Sequence, residues 1–278
     1  MDTKKVWLVT GASKGLGLSL VKKLLNEGYK VVATSRTVER LEKEVGTSAN
    51  FLPLEVIITD EQSVKNAIAK IVTVFGTIDV VVNNAGYGQL GALEELSDKE
   101  ARQNFDVNVF GSLNVIRSVM PHLRERKKGI IINIASIGGF TGAFPGWGIY
   151  CSTKFAVVGF TEALAEEIKE FGVSATVVYP GYFRTSFLDN GSLNLPNQPL
   201  MEYKAARASE EWHKNEQSGH QPGSPEKAAE VLIQLAEMEN LPLHFMMGSD
   251  AFRIAQDKIE ALKITLKDNE NLTKLTDF

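Results

Sequence analysis

Cysteine is almost absent: one residue in 278, Cys151, so no intramolecular disulfide can form and a secreted disulfide scaffold is excluded. Histidine is nearly as scarce. His122, His213, His220 and His244 are dispersed, no two at a spacing that serves zinc, and no metal is expected. Long apolar runs are missing too. Met1, Asp2, Thr3, Lys4 and Lys5 lead into Val6-Trp7-Leu8-Val9, too short for a signal core or a membrane span, so a soluble, cytoplasmic protein without a membrane partner is expected. An excess of one charge is lacking as well: 30 basic against 34 acidic residues create no field suited to a polyanion, which argues against nucleic acid. No repeat period and no low-complexity tract interrupts the chain.

What is present is a rhythm. Apolar, β-branched runs recur at 6–9, 31–34, 51–54, 79–82, 130–134, 174–178 and 243–246, most of them followed by a longer amphipathic stretch. Strands apolar at every position must be covered on both faces, which predicts a doubly wound α/β fold with a parallel sheet of about seven strands and helices on both faces. The spacing predicts a helix over 63–75 ending at Gly76, a helical stretch over 98–125 broken near 104–111, and an apolar helix over 150–171 ending at Gly172. Between 185 and 226 the rhythm stops. Pro196, Pro199 and Pro222 flank a helical stretch over 200–215, the pattern of a substrate-covering insertion. The segment 251–275 reads as one or two amphipathic helices, an extension over about 250–278, and the whole chain 1–278 is expected to be one domain.

Directly after the first strand stands Thr10-Gly11-Ala12-Ser13-Lys14-Gly15-Leu16-Gly17, followed by a helical segment. Glycines here meet three demands: a tight strand-to-helix turn, close approach of a pyrophosphate to helix amides, and tight helix-on-strand packing. This string resembles the Thr-Gly-x-x-x-Gly-x-Gly fingerprint of short-chain dehydrogenases/reductases. Further motifs of that family follow in order: Asn83-Asn84-Ala85-Gly86, Asn108-Val109-Phe110-Gly111, Ser136, Tyr150-x-x-x-Lys154 and Pro180-Gly181. The resemblance spans residues 5 to about 190 and implies a Rossmann-type fold that binds a nicotinamide dinucleotide. The glycine spacing matches the shorter oxidoreductase branch of the family.

By that resemblance the cofactor contacts are Gly11, Ser13, Lys14, Gly15, Leu16, Gly17, Asn84, Ala85, Gly86, Tyr150, Lys154, Pro180, Gly181, Phe183 and Thr185. After the second strand the chain reads Thr34-Ser35-Arg36, with no carboxylate to accept from an adenosine ribose. Arg36 and Lys14 are instead suited to the extra phosphate of NADP, which is the expected cofactor. Glu55 and Val56 stand where the family places an acidic and an apolar residue against adenine, followed by the extra apolar residues Ile57 and Ile58 before Asp60.

Tyr150 and Lys154 are four apart, on one face of a helix, and an ammonium beside a phenol favours the phenolate. The resemblance makes Tyr150 the general acid/base, Lys154 its partner and a holder of the nicotinamide ribose, and Ser136 the donor to the substrate carbonyl. It gives Asn108 a water-mediated relay to Lys154. Ser136 stands fourteen residues before Tyr150, one more than the usual family spacing, and Gly138, Gly139, Gly142 and Gly146 make the intervening loop pliable. Cys151 has no histidine near it in sequence and reads as a buried small thiol. Phe144, Trp147, Tyr182 and Phe187 are the pocket candidates and fit a hydrophobic ketone or secondary alcohol as substrate.

Two other readings stay open: a non-catalytic NADP-sensing regulator, and a reductase of carrier-bound 3-oxoacyl groups. The second wants a basic mouth, but the insertion sets Lys204, Arg207 and Lys214 against Asp189, Glu202, Glu210, Glu211 and Glu216. The resemblance also implies a homodimer or homotetramer paired through helices over 107–123 and 152–171.

Overall fold

The computed structural model describes residues 4–188 and 191–278; Met1, Asp2, Thr3, Asp189 and Asn190 lie outside the described residues. The described chain contains nine strands and nine α-helices, alternating for the most part. The strands are β1 (Val6–Val9), β2 (Lys30–Ser35), β3 (Phe51–Glu55), β4 (Val80–Asn83), β5 (Gly88–Gln89), β6 (Gly129–Ile134), β7 (Val173–Pro180), β8 (Leu193–Asn194) and β9 (His244–Met247). The helices are α1 (Gly15–Asn26), α2 (Val38–Val45), α3 (Glu61–Phe75), α4 (Asp98–Phe105), α5 (Gly111–Arg126), α6 (Gly148–Ile168), α7 (Lys204–Glu211), α8 (Pro225–Glu237) and α9 (Ser249–Lys274).

Seven strands form one parallel sheet in the order β3-β2-β1-β4-β6-β7-β9. The order reverses between β1 and β4, and the loops leaving these two strands part there, opening a crevice at the carboxyl edge. Both faces are covered, as the continuous apolar runs require. One face packs Trp7, Val9, Val31 and Val82 under Leu20, Leu24 and Leu232 of α1 and α8. The other packs Leu8, Val32, Val81 and Ile131 under Ile68, Val119 and Leu164 of α3, α5 and α6.

Helix ends follow local chemistry. Asp60 caps α3 by accepting from the Gln62 and Ser63 amides, and Gly76 ends it in the left-handed region at φ +78°. Ser97 and Glu100 form a capping box on α4. The expected break near 104–111 is a π turn, Asp106–Phe110, between α4 and α5. The expected helix over 200–215 starts later, at Lys204, and widens into a second π turn, Trp212–Gln217. The C-terminal segment is one continuous helix.

The sequence pattern gives no hint of the two-residue strands β5 and β8, which pair with each other and bring the loop after β4 against the insertion. At the base of that insertion Phe183 and Gly223 bridge, with Arg184 N donating to Gly223 O and Gly223 N to Tyr182 O. A buried ion pair fastens its far side: Arg207 donates to the fully buried Glu95 carboxylate at 2.7 Å, which also accepts from the Ala92 and Leu200 amides.

Inside the sheet, Asn83 Nδ2 donates to Asn133 Oδ1 at 2.8 Å and Asn133 Nδ2 donates to Thr161 Oγ1 at 2.9 Å, tying β4, β6 and α6 together beneath the site. Asn133→Ala leaves the buried Asn83 amide without a partner and the Thr161 hydroxyl with only its bond to the Val157 carbonyl. It is expected to lower unfolding free energy by about 2–3 kcal/mol, read as a lower urea midpoint at unchanged slope.

Candidate active site

The glycine turn forms one wall of the crevice. Gly11 and Gly15 hold φ of +63° and +59°, a region that favours glycine, and a Cβ on Gly11 would stand 2.6 Å from the Ala85 Cα. Thr10 and Asn84 clamp the two strand ends. Thr10 Oγ1 accepts from the Asn84 and Ala85 amides at 3.0 and 3.1 Å, while Asn84 Nδ2 donates to the Thr10 and Gly11 carbonyls at 2.9 and 3.1 Å. Gly17 leaves room for that carboxamide, since a Cβ there would lie 2.6 Å from Asn84 Nδ2. Helix α1 starts at Gly15 without a side-chain cap, so its first-turn amides and positive dipole end are available to an anion. A close-approach cradle at an uncapped helix start, beside a cationic side chain, fits a dinucleotide pyrophosphate.

The acid-base residues come from the next strand ends. Ser136 follows β6 and its hydroxyl accepts from Gly138 N at 3.0 Å. Helix α6 carries Tyr150, Thr153 and Lys154 inward, all buried. Lys154 Nζ donates to the Ile134 carbonyl at 2.9 Å and lies 5.8 Å from the Tyr150 ring centre. Burial pulls the Lys154 ammonium down from 10.5 to about 8. The Tyr150 phenol moves the opposite way: burial raises its pKa well above 10, and a hydrogen bond with Ser136 offsets only part of this. The sequence reading sets the Lys154 ammonium beside the phenol as the group that favours the phenolate. Desolvation outweighs it, because Lys154 points its proton at the Ile134 carbonyl.

Asn108 lies in the π turn, where the wide helix brings it and Asn104 to one main-chain oxygen. Both Nδ2 groups donate to Tyr87 O at 3.1 Å, Asn108 Oδ1 accepts from Tyr87 N at 3.0 Å, and Asn108 Nδ2 also donates to Thr153 Oγ1 at 3.0 Å. A Cβ on Gly86 would lie 3.0 Å from Asn108 Oδ1 and 3.6 Å from Lys154 Nζ, so glycine lets the two approach the same strand-end loop.

A cavity of about 200 Å³ joins these parts. Gly11, Lys14, Gly15, Leu16, Asn84, Gly86, Ser136, Tyr150, Lys154, Pro180, Gly181, Phe183 and Thr185 line it, and so do Phe144, Trp147, Tyr182 and Phe187. Ser13, Gly17, Arg36, Glu55, Val56, Ala85 and Asn108 do not. Arg36 is exposed just beyond β2, while Glu55 and Val56 sit at the end of β3, where Val56 N donates to Ser35 O. Asp60 is used as a helix cap. Lys14 Nζ donates to Gly191 O at 3.0 Å and ties the insertion to the glycine turn. Cys151 is buried, its thiol pushed up to about 11, as an inert thiol should be. His213 and Gln221, contributed by the insertion, line the same cavity. Sequence reasoning missed both, because neither belongs to a motif and only the fold of the insertion turns them inward. Among the described residues there is no group of three metal-ligating side chains, and no helix is long and apolar enough to cross a membrane.

The buried ammonium has a cost that pH exposes. Lys154 has its folded pKa below its unfolded value, so between pH 8 and 10.5 the unfolded chain binds more protons and stability rises with pH. Lys154→Met is therefore expected to gain about 1–2 kcal/mol at pH 7, after loss of the Ile134 hydrogen bond, and the advantage should vanish by about pH 10.5 in paired denaturant titrations.

Comparison with known proteins bears directly on this geometry. Residues 5–194 match the family model described as short chain dehydrogenase. Oxidoreductase BOA17 of Botryotinia fuckeliana is 34% identical over 262 residues, covering 93% of this chain and 94% of that protein. A short-chain dehydrogenase from Streptomyces avermitilis superposes with a TM-score of 0.91 at 31% identity, covering 100% of both chains. One from Burkholderia cenocepacia J2315, solved in complex with NADP, has a TM-score of 0.73 at 26% identity and covers 96% of this chain and 98% of its own. The fingerprint, the seven-stranded parallel sheet and these matches agree: the chain belongs to the short-chain dehydrogenase/reductase family and is an NAD(P)-dependent oxidoreductase.

Proposed function

We propose that this enzyme is an NADPH-dependent carbonyl reductase acting on a hydrophobic ketone, or in reverse on the secondary alcohol. The observation that carries the reading is a buried phenol that shares the wall of an aromatic-lined cavity with Ser136 and has the Lys154 ammonium 5.8 Å from its ring centre. Trp147 and Phe187 pack on the Tyr150 ring with centroids 5.4 and 5.9 Å away.

In this reading Gly11, Ser13, Gly15, Leu16 and Gly17 hold the pyrophosphate at the start of α1, and Asn84, Ala85 and Gly86 flank the neighbouring ribose. Glu55 and Val56 meet the adenine. Lys154 holds the nicotinamide ribose, while Pro180, Gly181, Phe183 and Thr185 meet the nicotinamide. A reduced nicotinamide supplies the hydride. Tyr150 gives its proton to the carbonyl oxygen and Ser136 donates a hydrogen bond to the charge that develops there. The Lys154 ammonium favours the phenolate left behind. Asn108 fixes the Tyr87 chain and Thr153 around Lys154, and the water relay to Lys154 runs beside its π turn.

NADP is preferred because the end of β2 carries Arg36 and no carboxylate, with Lys14 in the adjoining turn. The NADP complex of the Burkholderia cenocepacia relative supports this choice. All of the acid-base residues are present, which favours turnover over cofactor sensing. A carrier-bound acyl group finds few cations to hold its phosphate, since Arg207 and Lys214 both pair with Glu210. The chain is read as one domain, with 185–226 covering the substrate. Exposed Phe110 and Phe155, on the π turn and α6, support pairing of subunits there into a homodimer or homotetramer.

Loss of reduced-nicotinamide absorbance with aryl ketones tests this. NADPH should outperform NADH, Tyr150→Phe should lower kcat at least about a hundredfold, and Arg36→Glu should invert the cofactor preference. A wild-type preference for NADH would overturn the Arg36 assignment.

The pH profile gives a second test. With Tyr150 protonated throughout the neutral range, kcat/KM for reduction should be level below pH 8 and fall above it as the Lys154 ammonium discharges. A profile level to pH 9.5 would remove the charge on Lys154 from the mechanism.

A further inference from the structure

The far end of the cavity is built differently from the rest. Its walls are aromatic, yet His213, 5% exposed, and Gln221, 2% exposed, bring polar atoms to it from the insertion. His213 Nδ1 sits 2.6 Å from the Ser209 carbonyl, which can only accept, so the ring proton is on Nδ1. Nε2 then carries a lone pair, and it lies 3.0 Å from the Tyr182 hydroxyl, which must donate to it. Burial holds His213 neutral by lowering its pKa below 6.5 and keeps the Tyr182 proton in place, its pKa pushed up to about 12. The Tyr182 oxygen is left with acceptor capacity only.

Two further residues of this wall carry polar groups without partners. Gln221 Oε1 is buried with no hydrogen-bond partner among the described residues, and so is Trp147 Nε1. Buried polar groups in native folds are ordinarily paired, and orphans on a cavity wall mark where a ligand's own polar group completes the pairing. The Tyr182 oxygen wants a donor, while the Gln221 amide, with neither its Oε1 nor its Nε2 paired among the described residues, and the Trp147 nitrogen bring donors that want an acceptor. A hydroxyl does both; an ammonium, a methyl or an ether does not.

We propose that this Tyr182, His213, Gln221 and Trp147 cluster is a hydroxyl-reading subsite, so that the preferred substrates are hydroxy ketones bearing an O–H a few bonds from the reacting carbonyl. The proposal rests on the carbonyl-reductase reading for the position of the carbonyl at Tyr150 and Ser136. The spacing follows from the ring contacts: the Trp147 centroid is 5.4 Å from that of Tyr150 and 4.9 Å from that of His213, so one indole separates the acid from the polar end. A ketone with a plain alkyl arm leaves the orphaned groups unpaired, which a site built for hydrogen bonding penalises more heavily than a lost apolar contact.

The test is a set of matched aryl ketones differing only by O–H for CH₃. These are α-hydroxyacetophenone against propiophenone, β-hydroxypropiophenone against butyrophenone, and γ-hydroxybutyrophenone against valerophenone. Dissociation constants are measured by tryptophan fluorescence on the full chain saturated with oxidised NADP, where no turnover occurs, and turnover with NADPH is measured separately. At one chain length or more the hydroxy ketone should bind at least about tenfold tighter, and Tyr182→Phe and Gln221→Leu should each reduce that ratio to about threefold or less. His213→Leu frees the Tyr182 proton to donate, so a methoxy-terminated ketone should gain on its hydroxy counterpart, a swing that a merely structural histidine would not produce. Ratios near one at every length, or ratios unmoved in folded Tyr182→Phe and Gln221→Leu, overturn the subsite. Turnover with no hydroxyl preference defeats the subsite alone. A binding preference without turnover upholds the subsite and defeats the reductase reading.

Discussion

A lysine ammonium buried at the end of β6 is the constraint to which the rest of the site is fitted. Lys154 Nζ has the Ile134 carbonyl as its hydrogen-bond acceptor, and its burial is costly enough to bring the pKa down to about 8. Its surroundings are shaped to hold it there. A Cβ on Gly139 would lie 2.8 Å from the Lys154 carbonyl oxygen, so the turn after Ser136 can pack against α6 only with glycine at that point. Gly86 does the same for the loop after β4, and the π turn widens the helix so that Asn108 can tie that loop and Thr153 together around the ammonium. A π turn is locally unfavourable, and the bonds it permits explain its persistence at this point.

The parallel sheet turns these local fittings into one site. All seven strands run the same way, so the loops that follow β1, β4, β6 and β7 emerge on a single edge, and residues separated by more than a hundred positions meet there. The Thr10 and Asn84 clamp decides how far the first two of these loops can part. Each side chain bonds the other's main chain, which leaves no slack between the glycine turn and the loop after β4. Close approach of backbone to backbone is the shared requirement, and glycine at 11 and 17 satisfies it on the β1 side.

That logic explains what the sequence made legible. The strands of the large sheet were visible because each carries a run of apolar residues, and the break in 98–125 was visible because that stretch is longer than one ordinary helix. The glycine turn and the Tyr150, Lys154 pair depend on backbone geometry and helical spacing, both of which local sequence encodes. Energies of burial are not local. Nothing in Tyr-x-x-x-Lys tells how deeply α6 is covered, so the rise of the Tyr150 pKa escaped a reading based on the neighbouring charge alone. The two-residue strands β5 and β8 are too short to leave a period, and His213 and Gln221 face the cavity only because a π turn and the Phe183, Gly223 bridge set the path of the insertion.

Acid strength and substrate shape have a common physical origin in that insertion. Phe187 and Trp147 dry the Tyr150 hydroxyl, and the insertion supplies Phe187 directly while packing His213 against Trp147. The segment is fastened at three separated points: the Phe183, Gly223 bridge at its base, Lys14 to Gly191 over the glycine turn, and Arg207 to the buried Glu95 on the far side. Removing one partner of a buried ion pair leaves an uncompensated charge and commonly costs about 3–5 kcal/mol, so the Glu95 anchor strongly resists release. A wall held this firmly keeps water from the phenol, and a dry phenol keeps its proton at neutral pH. Changes in the insertion should therefore alter acid strength and selectivity together, because the same side chains exclude water from Tyr150 and define the space in front of it.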